Sequence, residues 1–144
     1  MSEIYEIIDK TKLDVVNNPI EKSHGLPNEC YTSERYTQIE RKKLFEDKWV
    51  VIGIASSLPN KGDAKPFDLL GIPLIILRDK ENIIRVFHNV CSHRGYKILQ
   101  KECKIKNVLR CPYHSWSYDT KGKLIATPHI GGMNKHECEK FDKS

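Results

Sequence analysis

Two short segments decide how this sequence is read: Cys91-Ser92-His93-Arg94-Gly95 and Cys111-Pro112-Tyr113-His114-Ser115-Trp116-Ser117-Tyr118-Asp119. Each pairs a thiol with an imidazole at short spacing, and each follows a short apolar run, Ile83 to Phe87 and Val108 to Arg110. Residues 94–110 separate His93 from Cys111, enough chain for one excursion and return, so two loops can meet tip to tip. Gly95 allows a tight turn in the first loop, and Pro112 stiffens the second.

Working outward, the flanking chain reads as short strands. Trp49 to Ala55 is apolar and β-branched, Ser56 to Pro66 is rich in turn residues, and Ile72 to Leu77 is a second apolar run. Asp79 to Asn82 form a turn before the strand Ile83 to Phe87. Ser115 to Tyr118 and Lys123 to Ala126 flank Asp119 to Gly122, a hairpin signal. Many short strands at regular spacing predict a small antiparallel β sandwich or barrel. Upstream, Thr32 or Ser33 caps a helix running to about Asp47, with Tyr36, Ile39 and Leu44 on one face. Residues 1–30 read as an arm: Met1 to Leu13 can hold a short helix and the rest is extended. Pro128 to Ser144 has no period and reads as a loose tail.

The 144 residues suit one domain, and 39% hydrophobic with 30% charged residues predicts a soluble globular chain. The longest apolar run, Leu69 to Leu77, is broken by Gly71 and Pro73 and falls far short of the ~20 residues a membrane span needs. The N-terminus lacks a charged-then-apolar leader, so a cytoplasmic protein with no membrane contact is expected. The net charge of +5 is spread along the chain as a solvated surface. It offers no basic block interleaved with aromatics, and nucleic-acid binding is not expected. Five cysteines, an odd number without an export signal, argue against a disulfide framework and for metal ligation.

Two thiols and two imidazoles suit two kinds of metal centre. One is a structural zinc ion, which would make the chain an interaction module. Zinc sites favour Cys-x₂₋₄-Cys and His-x₃₋₅-His spacing, however, and this is not that pattern. The other is a [2Fe–2S] cluster with two protein ligands per iron. Neutral imidazoles on one iron leave such a cluster less negative, so it accepts an electron readily. These centres span roughly −150 to +300 mV, against about −400 mV for all-cysteine plant-type clusters.

Cys-x-His followed by Cys-x-x-His is the Rieske signature, and the flanks carry the likeness further. Asn89 to Gly95, Cys111 to Asp119, the Trp49-Val50-Val51-Ile52-Gly53 run, Leu58 to Asp63 and Leu124 to Pro128 resemble the N-terminal domain of Rieske oxygenase α subunits. That family comprises ring-hydroxylating dioxygenases and related monooxygenases of the choline-monooxygenase type. The resemblance covers about residues 26–130. It implies a mostly β, Rieske-type antiparallel sandwich with a cluster-binding subdomain, preceded by a helix. Residues 1–30 would be an arm, 31–130 the Rieske domain, and 131–144 a tail opening a catalytic domain. Cys91 and Cys111 would bind one iron, and His93 and His114 the other, the histidine-bound iron being the site of reduction. Ser115 stands where the family usually has Gly. Respiratory Rieske proteins carry an extra disulfide between the loops, whereas Tyr96 and Tyr113 stand at those places here.

The resemblance also implies a role: single electrons pass from a flavin-dependent reductase or a ferredoxin to a mononuclear non-heme iron that hydroxylates an organic substrate. That iron belongs to the catalytic domain, or to a neighbouring subunit of an oligomer formed by the full-length protein. The chain itself would perform electron transfer and carry no catalytic residue. A stand-alone Rieske ferredoxin is the alternative, but such ferredoxins generally lack the arm and the helix at 33–47. Trp116 is expected to shield the cluster and Trp49 to lie in the core. His88 reads as a strand-end residue, and Cys30, Cys103 and Cys138 as free thiols. His129 and His136 belong to the tail.

Overall fold

A computed structural model describes residues 2–142, which form two compact units divided between Val51 and Ile52. Met1, Lys143 and Ser144, the ends of the expected arm and tail, lie outside the described residues.

The first unit is helical. Helices α1 (Ser2–Tyr5), α2 (Lys10–Asp14), α3 (Glu29–Thr32) and α4 (Glu34–Glu40) follow in order. Asp9 caps α2 by accepting from the Thr11 N–H at 2.8 Å, and Ser33 caps α4 by accepting from the Tyr36 N–H at 3.2 Å. The expected helix at 33–47 is therefore present, but its second half, Arg41–Glu46, is a π-helix. The wider turn shifts the inward face, so Phe45 is half-buried and Leu44, expected inside, is 51% exposed. The arm is not extended after Leu13: a 3₁₀ turn at Val15–Asn17 and helix α3 interrupt it.

The second unit holds two antiparallel sheets. Strands β1 (Asp63–Leu69), β2 (Ile72–Arg78), β3 (Ile84–His88) and β4 (Cys103–Lys104) form one, in the order β3-β2-β1-β4. Strands β5 (Val108–Arg110), β6 (Ser117–Asp119) and β7 (Leu124–Ala126) form the other, in chain order. A mostly β, antiparallel two-sheet architecture agrees with the expected fold class. Between the sheets, Ala64, Ile75, Leu77, Leu109, Trp116, Tyr118 and Leu124 build one core that also contains Cys91 and Cys111.

Three expectations fail for identifiable reasons. Trp49 to Ala55 is no strand: its β-branched run has no paired neighbour among the described residues, and Trp49, expected in the core, is 105% exposed. Conversely, β1 lies in the stretch read as turns. Pro66 disguised it, yet Pro is tolerated there because β4 reaches only Asp63 and Ala64, leaving the Pro66 side of β1 an open edge. The tail is also not loose. The Thr127 N–H donates to His136 Nδ1 (3.1 Å), the Glu137 N–H to Thr127 Oγ1 (2.9 Å) and the Leu124 N–H to Asp142 Oδ1 (3.3 Å). These bonds tie helix α5 (Cys138–Phe141) back onto β7.

The β2–β3 turn is fastened by Asp79, whose side chain is fully buried. It accepts from the N–H groups of Glu81 (2.9 Å) and Ile83 (2.8 Å) and from Arg85 Nε (2.6 Å). Burial pushes its carboxyl up, but the Ile83 N–H, the Arg85 guanidinium and the Glu81 N–H outweigh this and hold it below its ordinary value. A folded-state value below the unfolded one means stability that is present above about pH 4 and lost as pH falls through the folded value. Asp79→Asn should therefore lower the urea midpoint at pH 7, and its deficit against the parent should shrink as pH falls through the lowered folded value. A deficit independent of pH would remove the charge from this account.

Candidate metal centre

The two loops at residues 91–96 and 111–116 are built to one plan. In the first, the Cys91 N–H donates to the Tyr96 carbonyl (2.9 Å) and the Gly95 N–H to the Cys91 carbonyl (2.8 Å). In the second, the Cys111 N–H donates to the Trp116 carbonyl (2.8 Å) and the Ser115 N–H to the Cys111 carbonyl (3.0 Å). Both closures require the fourth residue after the cysteine to be left-handed, and Gly95 (φ 70°) and Ser115 (φ 60°) are. Glycine adopts this conformation freely, whereas a side chain there costs about 1–2 kcal/mol. The left-handed backbone thus favours glycine where Ser115 stands. Ser115→Gly should raise stability by about 0.5–1 kcal/mol in urea denaturation, the strain removed being partly offset by the greater freedom of Gly in the unfolded chain. An unchanged or lowered midpoint would contradict this.

The loops bring the four expected ligands together in two pairs, sulfur with sulfur and imidazole with imidazole. Cys91 and Cys111 are each 2% exposed. The rings of His93 and His114 meet edge to face, centroids 4.7 Å apart. Sulfurs lie inward; His93 is half-buried and His114 exposed. Among the described residues no three His, Cys, Asp or Glu side chains converge to hold one ion. The set is instead a sulfur pair beside an imidazole pair, as a two-metal cluster with two ligands per metal requires.

Surrounding groups set the electrostatics. Burial pushes the Cys111 thiol up, the N–H groups of Tyr113 and His114 pull it back, and the adjacent Cys91 thiol raises it again. Burial, and then the charges of His114 and Arg94, hold His93 below its ordinary value, favouring the neutral imidazole that binds metals. The Tyr118 hydroxyl accepts from the Ser92 N–H (2.9 Å) and lies 2.8 Å from Ser92 Oγ and 3.3 Å from Cys91 Sγ. Burial, with Cys91 beside it, pushes this hydroxyl up to about 12, so it stays protonated and able to donate to sulfur. Asn89, 2% exposed, anchors the first loop: its Nδ2 donates to the Leu99 carbonyl (2.6 Å) and its Oδ1 accepts from the Leu99 N–H (2.9 Å).

Rings continue from the site in both directions. Trp116, 1% exposed, stacks on His93 with centroids 4.7 Å apart and planes 11° from parallel, and Phe141 of α5 packs on Trp116 at 5.3 Å. On the outer side Tyr113 lies 3.8 Å from His114, and Tyr96 5.4 Å from Tyr113. Trp116, expected to shield the cluster, is buried against the His93 ring. His88 ends β3 as expected, Cys30, Cys103 and Cys138 are free thiols, and His136 is occupied as an acceptor for Thr127. Sequence reading missed the roles of Tyr118 and Asn89. The signal for the shared loop plan was there in the equal Cys-to-Gly95 and Cys-to-Ser115 offsets.

These residues fit a [2Fe–2S] cluster. Beyond the paired ligands, one buried polar atom among the described residues, Trp116 Nε1, has no partner from the protein, and it lies on a ring stacked against His93. A buried donor of this kind calls for an acceptor that the chain itself does not supply.

The Rieske [2Fe-2S] domain family matches residues 48–137. The carnitine monooxygenase oxygenase subunit of Acinetobacter baumannii is 32% identical over 136 residues, which covers 94% of this chain and 35% of that protein. A crystal structure of a quaternary ammonium Rieske monooxygenase in complex with L-carnitine is similar at a TM-score of 0.72 and 30% identity, over 81% of this chain and 33% of that one. Naphthalene 1,2-dioxygenase from Rhodococcus sp. shares the fold at a TM-score of 0.79 and 24% identity, over 99% of this chain and 32% of its own. The chain thus spans about a third of the length of these relatives. No helix among the described residues is long and apolar enough to cross a membrane.

Proposed function

The chain belongs to the Rieske [2Fe–2S] domain family, and from that premise we propose that Cys91, His93, Cys111 and His114 hold the cluster in the electron-transfer domain of an oxygenase α subunit. Residues 31–130 form that domain and 131–144 lead on from it. The domain relays single electrons from a flavin-dependent reductase or a ferredoxin to a mononuclear non-heme iron, in a catalytic domain or a neighbouring subunit, that hydroxylates an organic substrate.

The observation that carries this reading is the polarity of the paired ligands: a buried sulfur pair beneath an imidazole pair whose outer member, His114, is exposed. Bound there, a [2Fe–2S] cluster supplies reversible one-electron acceptance at a potential raised by its neutral imidazole ligands. The chain's own residues do the rest. The N–H groups of Tyr113 and His114 bear on the Cys111 sulfur, and the Tyr118 hydroxyl sits beside Cys91. Trp116 and Phe141 wall off His93 from the inner side, and Asn89 fixes the base of the first loop. Exposed His114 and the Tyr113 ring on it present the site to a partner. The relatives named as oxygenase subunits match nearly the whole chain, which favours this reading over a stand-alone ferredoxin. Five cysteines without a disulfide among them, three of them outside the proposed ligand set, suit a cytoplasmic, reducing compartment.

A redox titration of the anaerobically purified chain tests the proposal. One reversible one-electron couple within roughly −150 to +300 mV is expected. A couple near about −400 mV would indicate all-sulfur ligation, and no couple at all would end the electron-transfer reading.

A further inference from the structure

Trp116 combines deep burial with an unanswered donor. Its ring is 1% exposed, and its Nε1–H is the one buried side-chain polar atom without a hydrogen-bond partner among the described residues. Leaving such a group unpaired costs about 1–3 kcal/mol, and a buried tryptophan normally finds an acceptor. The surroundings narrow the choice. One face of the indole lies on the His93 ring and Phe141 packs against it as well. The same core contains Cys91 and Cys111. The cysteine sulfurs already have donors: the Tyr118 hydroxyl is beside Cys91, and the N–H groups of Tyr113 and His114 act on Cys111.

We propose that the Trp116 Nε1–H donates a hydrogen bond to inorganic sulfide of the bound iron–sulfur cluster and thereby raises its reduction potential. This inference rests on the function proposed above. Its sign follows from charge. Reduction adds one negative charge to the cluster, and a hydrogen bond to a more negative acceptor is stronger, so the donor favours the reduced form. Trp116 is then a tuning residue as well as a wall, which explains an indole rather than a phenyl ring at the position.

The test compares the iron-loaded chain with its Trp116→Phe variant, which keeps an aromatic ring on His93 and removes the N–H. The equilibrium constant for reduction should fall roughly tenfold, equivalent to about 59 mV for a one-electron couple, while iron and sulfide content stay at parent levels. A potential unchanged in a fully loaded variant overturns the proposal and leaves Trp116 a wall only. Should the variant not fold, the unsubstituted site gives the answer. The chain has two tryptophans, so Trp49→Phe with ¹⁵N-indole label reports Trp116 alone. Pulsed electron-spin spectra of the reduced protein should show a weak indole nitrogen coupling. Its absence also overturns the proposal, a buried water being then the acceptor. A parent protein without iron or sulfide would instead refute the proposed function, so the two failures are distinct.

Discussion

Replacing Cys91 by Ser, or His114 by Ala, should abolish the red-brown colour expected of the purified protein and the rhombic electron-spin signal expected of its reduced form. The effect is complete rather than graded because each iron has only two protein ligands. Serine at position 91 keeps the volume and retains a hydrogen bond to Tyr118, but its hydroxyl does not ionise as a thiol does and is a poor ligand for a site shaped around sulfur. Position 91 is also 2% exposed, so water has little room to replace the missing ligand. Alanine at position 114 would remove one of the two imidazoles that would hold the second iron, and with it the edge contact to His93. Cys30→Ser and Cys138→Ser are the controls and should leave both signals intact. Retained colour in either ligand variant would count against the assignment of that ligand, and loss of colour in a control would show that a third cysteine takes part.

The second large effect is on folding: Gly62→Ala should destabilise the protein by about 2–5 kcal/mol. Gly62 has φ 86°, and its N–H donates to the Arg78 carbonyl at 2.8 Å, while its own carbonyl accepts from the Ile105 N–H at 2.7 Å. A Cβ there would fall 2.2 Å from the Ile105 carbonyl oxygen, a backbone atom that no side-chain rotation can move aside. Left-handed strain of about 1–2 kcal/mol adds to an overpacking cost of about 1–3 kcal/mol. A domain with about 5–15 kcal/mol in hand loses a large share of it. The site is affected as well, because Ile105 lies on the return path that brings Cys111 back to Cys91. Urea denaturation should show the lowered midpoint, and iron occupancy should fall with it. A midpoint within about 0.5 kcal/mol of the parent would mean that the β1–β4 contact yields more easily than its geometry implies.

How much of this was legible in the sequence depended on how local the cause was. The pairing of thiols with imidazoles was legible because Cys91 with His93, and Cys111 with His114, are close in sequence and chemically distinctive. The Ser33 cap, the Asp79 turn and the Asp119–Gly122 hairpin were legible for the same reason. Features set by tertiary pairing were not. Strand β1 hides behind Asp63 and Pro66, and only the short reach of β4 explains why proline is accepted. Trp49 to Ala55 carries a strand's composition without a paired neighbour among the described residues, and composition does not supply one. Helix α5 is held by bonds from Thr127 and Leu124, residues far enough upstream that no period in the tail betrays them. The π-helical turn displaced Leu44 by a geometry that a 3.6-residue pattern does not contain. Tyr118 belongs to the second motif, but its place beside Cys91 and Ser92 emerges only when β6 is laid against the first loop.

The central claim is that two sulfurs and two imidazoles, presented by a matched pair of loops, enclose one binuclear iron–sulfur cofactor. Counting iron, zinc and acid-labile sulfide in freshly isolated, anaerobically handled protein tests it most directly. The account predicts about two irons and about two sulfides per chain, with zinc at trace level. About one zinc per chain with neither iron nor sulfide would contradict it.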